Sequence, residues 1–299
     1  MTTDVKVIDK MLVLAPDVRI WSARTRMRPE DYADRDSLPP EELASLGVKK
    51  LCPPEKLRVF GMLKSRATSL LSRHGIPFLP GSWLIPADTA AEIQKSLETI
   101  RKEFDAAKES FLAEYDGICS AWIDRHPGYD AMLRGSMASP DHVRARLSFR
   151  WRAFALRVTR QSNLRKEVEG LGNSVFEDIA REARVVMREV FTGRDAVTQK
   201  ALHPVSALAD KLRGLAFLHP RIASAASLVQ ECLERMPKKG PIEGTDLGMA
   251  LAMVTLLSDP GALEEATMRM EEGSRPESLL MPETNSSPPP GFIANVGLW

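Results

Sequence analysis

The chain has 299 residues, 43% hydrophobic and 27% charged, which is enough apolar surface for one large or two modest packed domains. Its 41 basic and 40 acidic side chains leave a net charge of +1, which excludes a global field drawing the protein to nucleic acid or membrane. Any such affinity has to come from a local patch.

In chain order, residues 17–27 (DVRIWSARTRM) alternate weakly and carry strand formers, which predicts a short strand. A charged loop with Pro39-Pro40 follows. Residues 56–74 carry a helical stripe of Phe60, Leu63, Ala67, Leu70 and Leu71, opened by Pro54 and closed by Gly75 as a left-handed cap. Pro80-Gly81 then turns between two short apolar runs. From 88 to 125, Ile93, Leu97, Ile100, Phe104, Ala107, Phe111, Tyr115, Ile118 and Trp122 recur at steps of three and four. That is a near-heptad seam, with coiled-coil character, on one helix about 57 Å long at 1.5 Å per residue. A helix of this length needs a partner. Residues 141–166 are the expected one, with Leu147, Trp151, Phe154 and Val158 on one face. The break at His126-Pro127-Gly128 makes the pair an antiparallel hairpin.

Further helices are expected at 175–191 (capped by Asn173 or Ser174), 204–215, 220–236, 245–257 and 260–271. From Gly273 the composition turns polar and proline-rich, the signature of a disordered tail. The expected fold is therefore mainly α: a long antiparallel helical hairpin plus additional helices, with a small N-terminal β element. Its expected divisions are an N-terminal region at 1–86, a helical domain at 87–272 and a tail at 273–299.

Cys52, Cys119 and Cys232 are odd in number and far apart, which argues against a zinc framework or a disulfide scaffold. The opening MTTDVKVIDK lacks the apolar core of a signal peptide, and no apolar run is long enough to cross a membrane. A cytoplasmic protein without membrane contact is expected. No phosphate loop, dinucleotide fingerprint, nucleophile elbow or paired histidine motif is present, so no catalytic residue, metal ligand or cofactor is assigned.

The strongest local signal is electrostatic. Residues 141–166 carry eight basic side chains against a single acid, Asp141. On a helix, Arg146, Arg150, Arg157 and Arg160 share one stripe, suited to an acidic protein surface or a phosphate backbone. The bland reading pairs these arginines with acids of the long helix such as Glu98, Glu103, Glu109 and Glu114, and it is the preferred one. A second candidate is the C-terminal run GFIANVGLW, where Phe292, Ile293, Val296, Leu298 and Trp299 follow the polar tail. Such a segment either docks back on its own chain or serves as a short partner motif.

The block Leu46-Gly47, Lys49-Lys50, Pro53, Leu57, Phe60, Leu63-Lys64, Gly75, Phe78-Leu79, Gly81 and Pro86 resembles the hallmark region of a bacterial family, domain of unknown function 3150. Trp21-Ser22-Ala23-Arg24 fits it too, with Ala23 where a glycine is frequent, and so does LHPVSALADKLRGLAFLHPRI at 202–222. The family brings no established activity and no catalytic residues. Its genes often lie beside a MoxR-type AAA+ ATPase and a von Willebrand factor A protein, on mobile elements and phage-like islands. The resemblance therefore implies a non-enzymatic interaction or adaptor protein whose partner is that ATPase. A nucleic-acid-binding component using the arginine-rich face is the alternative.

Overall fold

A short continuous apolar run at its start makes Met11–Arg19 a strand, β1, whose Val13 and Leu14, on opposite faces, are both fully buried. The structure, a computed structural model, describes residues 10–32, 38–40, 43–156 and 170–272. The chain divides into two compact units, Met1–Val158 and Thr159–Trp299. Within the first, β1 is antiparallel to both neighbours, β5 (Trp83–Pro86) and β6 (Ser148–Ala155), and β4 (Ile76–Pro77) extends the sheet beyond β5. A second two-stranded ladder joins β2 (Arg24–Arg26) to β3 (Val48–Lys50).

Two helices cover the inner face of the sheet. Helix α1 (Arg58–His74) buries Phe60, Leu63, Ala67 and Leu71, the stripe expected from its 3.6-residue period. Helix α2 (Ala87–Asp124) is 38 residues long, so the near-heptad run does lie on one continuous helix. Ion pairs Arg66–Glu103 at 2.6 Å and Lys56–Glu114 at 3.4 Å set α1 antiparallel against α2. The rings of Phe60, Phe104 and Phe149 form the middle of the core, with centroids 4.9 Å and 5.8 Å apart.

Over its described residues the expected second arm of the hairpin is not one continuous helix. Residues after His126 form two short helices, α3 (Asp130–Arg134) and α4 (Pro140–Arg146), and the chain then enters β6. Residues 157–166 of that arm lie outside the described residues. The physical reason is the local period. In SFRWRAFA, Phe149 and Trp151 alternate with Arg150 and Arg152, and aromatic side chains at period two favour a pleated ladder over a helix. The seam of α2 is instead met by α1, by α4 and by the sheet, and the boundary drawn after residue 86 falls inside the first unit.

One backbone detail also differs from expectation. Gly75 is extended (φ −149°), not left-handed. It is needed because a Cβ there would lie 2.3 Å from both the Leu84 carbonyl oxygen and Ile85 Cδ1. Ala23, at the position where a glycine was noted, has φ +50° and is buried. Nearby, Lys49 Nζ donates to Asp31 Oδ1 at 2.6 Å, with both side chains under a tenth exposed. Burial alone would raise the Asp31 carboxyl, but the Lys49 ammonium and the Arg28 amide outweigh it and hold the group below its ordinary range.

The second unit is a helical assembly. It comprises α5 (Leu171–Val186), α6 (His203–Leu215), α7 (Pro220–Arg235), α8 (Gly244–Leu257) and α9 (Pro260–Glu271), with a small ladder of β7 (Ala196–Val197) and β8 (Ile242–Glu243). These match the expected helices closely, although α5 begins at Leu171 and neither Asn173 nor Ser174 caps it. The α9 start is capped, since the Asp259 carboxylate accepts from the amides of Gly261 and Ala262. Many core positions are alanine (Ala180, Ala183, Ala209, Ala225, Ala250), which lets helix backbones approach closely. A charged cluster lies within that core: Lys211, 3% exposed, donates to Asp178 and to Glu182, and the Arg181 guanidinium also lies against Asp178. Burial lowers the Lys211 pKa, and the Glu182 carboxylate opposes that shift. No helix among the described residues is long and apolar enough to cross a membrane.

Candidate partner-binding surface

The basic run is placed by a change of secondary structure. Arg146 is the last residue of α4, and Leu147 (φ −107°, ψ 105°) turns the backbone into β6. Arg146 and Arg150 therefore do not share a helical stripe. Arg157, Arg160 and the tail residues Phe292, Ile293, Val296, Leu298 and Trp299 lie outside the described residues.

Along β6 the two faces differ in kind. Phe149 stands opposite Val18 and Trp151 opposite Pro16, and both aromatic side chains turn towards the core, where Phe149 meets Phe104. Arg150 stands opposite Asp17 and Arg152 opposite Ala15, on the other face with Phe154. Asp17 is already engaged by Arg19 at 3.2 Å. The four acids of α2 expected to pair with this run are also taken: Glu98 by Arg101, Glu103 by Arg66, Glu114 by Lys56, and Glu109 by Arg144 at 2.7 Å. Among the described residues, Arg146, Arg150 and Arg152 have no ion-pair partner, while Arg144 has one.

β6 is also an edge. Its ladder among the described residues is with β1 alone, and every residue from Arg152 to Ala155 is exposed whichever face it belongs to. Phe154 is 43% exposed, large for an aromatic side chain on a strand. Phe154, expected on a buried helix face, is thus exposed, and it shares its strand face with Arg152, which the helical stripe omits. The period-two alternation in FRWRAF was the signal that places both.

A concavity of about 440 Å³ runs beside the C-terminal half of α2, lined by Pro53, Lys56, Ala113, Glu114, Gly117 and Arg125 among others. It holds an ion pair and small side chains but no nucleophile beside a base. All three cysteines are buried, and burial pushes Cys52 up to about 12 and Cys232 up to about 11, which favours the thiol over the thiolate. Tyr115 donates its hydroxyl to the Ala138 carbonyl at 2.9 Å, a structural bond. Among the described residues no group of three or more potential metal ligands converges.

A family model described as a protein of unknown function (DUF3150) matches residues 8–259. No curated protein and no solved structure matches the chain significantly.

Proposed function

The chain belongs to the DUF3150 family, and from that premise we propose that it is a non-enzymatic interaction protein, acting in the cytoplasm as an adaptor for a protein partner. The observation that carries this reading is the β6 edge, where a strand side with no ladder, two arginines with no ion-pair partner among the described residues and a half-exposed phenylalanine occur together. Backbone pairing, charge and an apolar contact in one place suit a polypeptide ligand. The partner implied by the family resemblance is a MoxR-type AAA+ ATPase, with a von Willebrand factor A protein as the further component.

The tail supports the same reading from the sequence side. A polar, proline-rich linker ending in Phe292, Ile293, Val296, Leu298 and Trp299 supplies a second, tethered contact that raises avidity without a large interface. The test is co-purification of the ATPase with the full chain and with a chain ending at residue 272. The full chain is expected to retain the ATPase, and the truncated chain to retain less of it while unfolding at the same temperature. Failure of both chains to retain it overturns the adaptor reading.

The second reading is a nucleic-acid contact through Arg146, Arg150 and Arg152, since unpaired arginines also suit phosphates. It predicts oligonucleotide binding that weakens steeply with salt and disappears on charge reversal of these residues.

A further inference from the structure

Resting on the protein-partner reading, we infer that β6 receives an extended acidic segment of the partner as an added strand. A sheet edge offers a row of backbone donors and acceptors that any strand could engage, so its side chains decide which strand is accepted. On β6 those side chains are of two kinds. Arg150 and Arg152 project from one face at a spacing of two residues, and Phe154 follows on the same face at the next step. The charge is available because Asp17 is held by Arg19, and neither Arg150 nor Arg152 has an ion-pair partner among the described residues.

A second copy of this chain is a poor occupant. An antiparallel partner strand that keeps its faces aligned pairs residues of like parity. In the two registers of longest overlap, Arg150 then faces Arg152 of the copy, or Arg152 faces itself. Like charges directly opposite on a ladder are destabilising. The arginines thus guard the edge against self-pairing and leave it open to a strand of opposite charge.

The same geometry fixes the order of side chains in the ligand. An antiparallel strand runs past Phe154 first, then Arg152, then Arg150, so it reads apolar, any, acidic, any, acidic from its N-terminus. In a parallel strand the order reverses. Moving the acids by one residue turns them to the opposite face, away from the arginines.

The experiment uses the full chain with a synthetic heptapeptide, Thr-Val-Thr-Glu-Thr-Glu-Thr, blocked at both ends. A control of identical composition, Thr-Val-Glu-Thr-Glu-Thr-Thr, shifts the two acids by one position. Binding is followed by fluorescence anisotropy at low salt, and backbone engagement by amide hydrogen exchange over residues 148–155. The in-register peptide is expected to bind and to slow exchange in β6, with the shifted peptide about fivefold or more weaker. The double variant Arg150→Glu, Arg152→Glu is expected to lose the acidic peptide and to gain the counterpart with lysine in place of both glutamates. That exchange of preference shows the variant is folded. Equal binding of the two acidic peptides, binding without protection of β6, or no binding at millimolar peptide overturns the strand proposal. A single-stranded oligonucleotide that binds the same arginines more tightly than the peptide also overturns it. Retention of the ATPase with β6 unprotected leaves the adaptor reading standing and removes only this inference.

Discussion

Replacing Phe104 by alanine tests the core of the first unit directly. Phe104 is 0% exposed, and its ring lies 4.9 Å from Phe60 and 5.8 Å from Phe149, so it joins α1, α2 and β6 at one point. Deleting a buried phenylalanine ring costs about 3–5 kcal/mol, made up of lost transfer free energy and a residual cavity. Two aromatic contacts, each worth about 0.5–1.5 kcal/mol beyond area, place this site in the upper half of that range, about 4–5 kcal/mol. For a unit of this size that corresponds to a melting temperature lower by roughly 8–20 °C. Tryptophan fluorescence reports the transition cleanly, because Trp21, Trp83, Trp122 and Trp151 all belong to the first unit and only Trp299 lies elsewhere. Trp151→Ala is the internal control: the side chain is half-buried on β6, so it is expected to cost clearly less. On a helical hairpin the two residues would both be central and would cost alike. A shift under about 3 °C for Phe104→Ala, or equal losses for the two variants, refutes the packing argument.

Gly75→Ala is expected to destabilise by about 1–3 kcal/mol or more through overpacking, because its Cβ would meet the Leu84 carbonyl oxygen at 2.3 Å; thermal unfolding measures it. Lys49→Met leaves the covered Asp31 carboxylate without its partner, at about 1–3 kcal/mol, and adding Asp31→Leu recovers most of that loss in a denaturant titration. The Asp31 pKa is lowered in the folded state, so its stabilisation is complete above the unfolded carboxylate value near about 4 and is lost as pH falls through the folded value. Lys49→Met should therefore flatten the acid limb of the stability profile below about pH 4.

Local pattern was enough for most helices. The stripe of Phe60, Leu63, Ala67 and Leu71, the seam of α2, and the proline-started helices of the second unit all follow from period and punctuation that neighbours reinforce. The candidate surface was legible only in part. A short run such as SFRWRAFA satisfies a helical stripe of arginines and a period-two alternation of aromatics at once, and nothing within it decides between them. What decides is β1, distant in sequence, which offers eight residues of antiparallel register to β6, from Leu12 opposite Ala155 to Arg19 opposite Ser148. Pairing with β1 turns Phe149 inward against Phe104 and turns Arg150, Arg152 and Phe154 outward together. Gly75 shows the same division. Its sequence position marks a helix end, but the reason it has to be glycine is the Leu84 backbone arriving from the other side of a turn. By itself the sequence determined most of the helices and which of their faces are apolar, because those depend on neighbours within a few residues. Tertiary structure alone decided which arginines lack an ion-pair partner among the described residues, since that depends on which strand the chain finds and which acids are already taken.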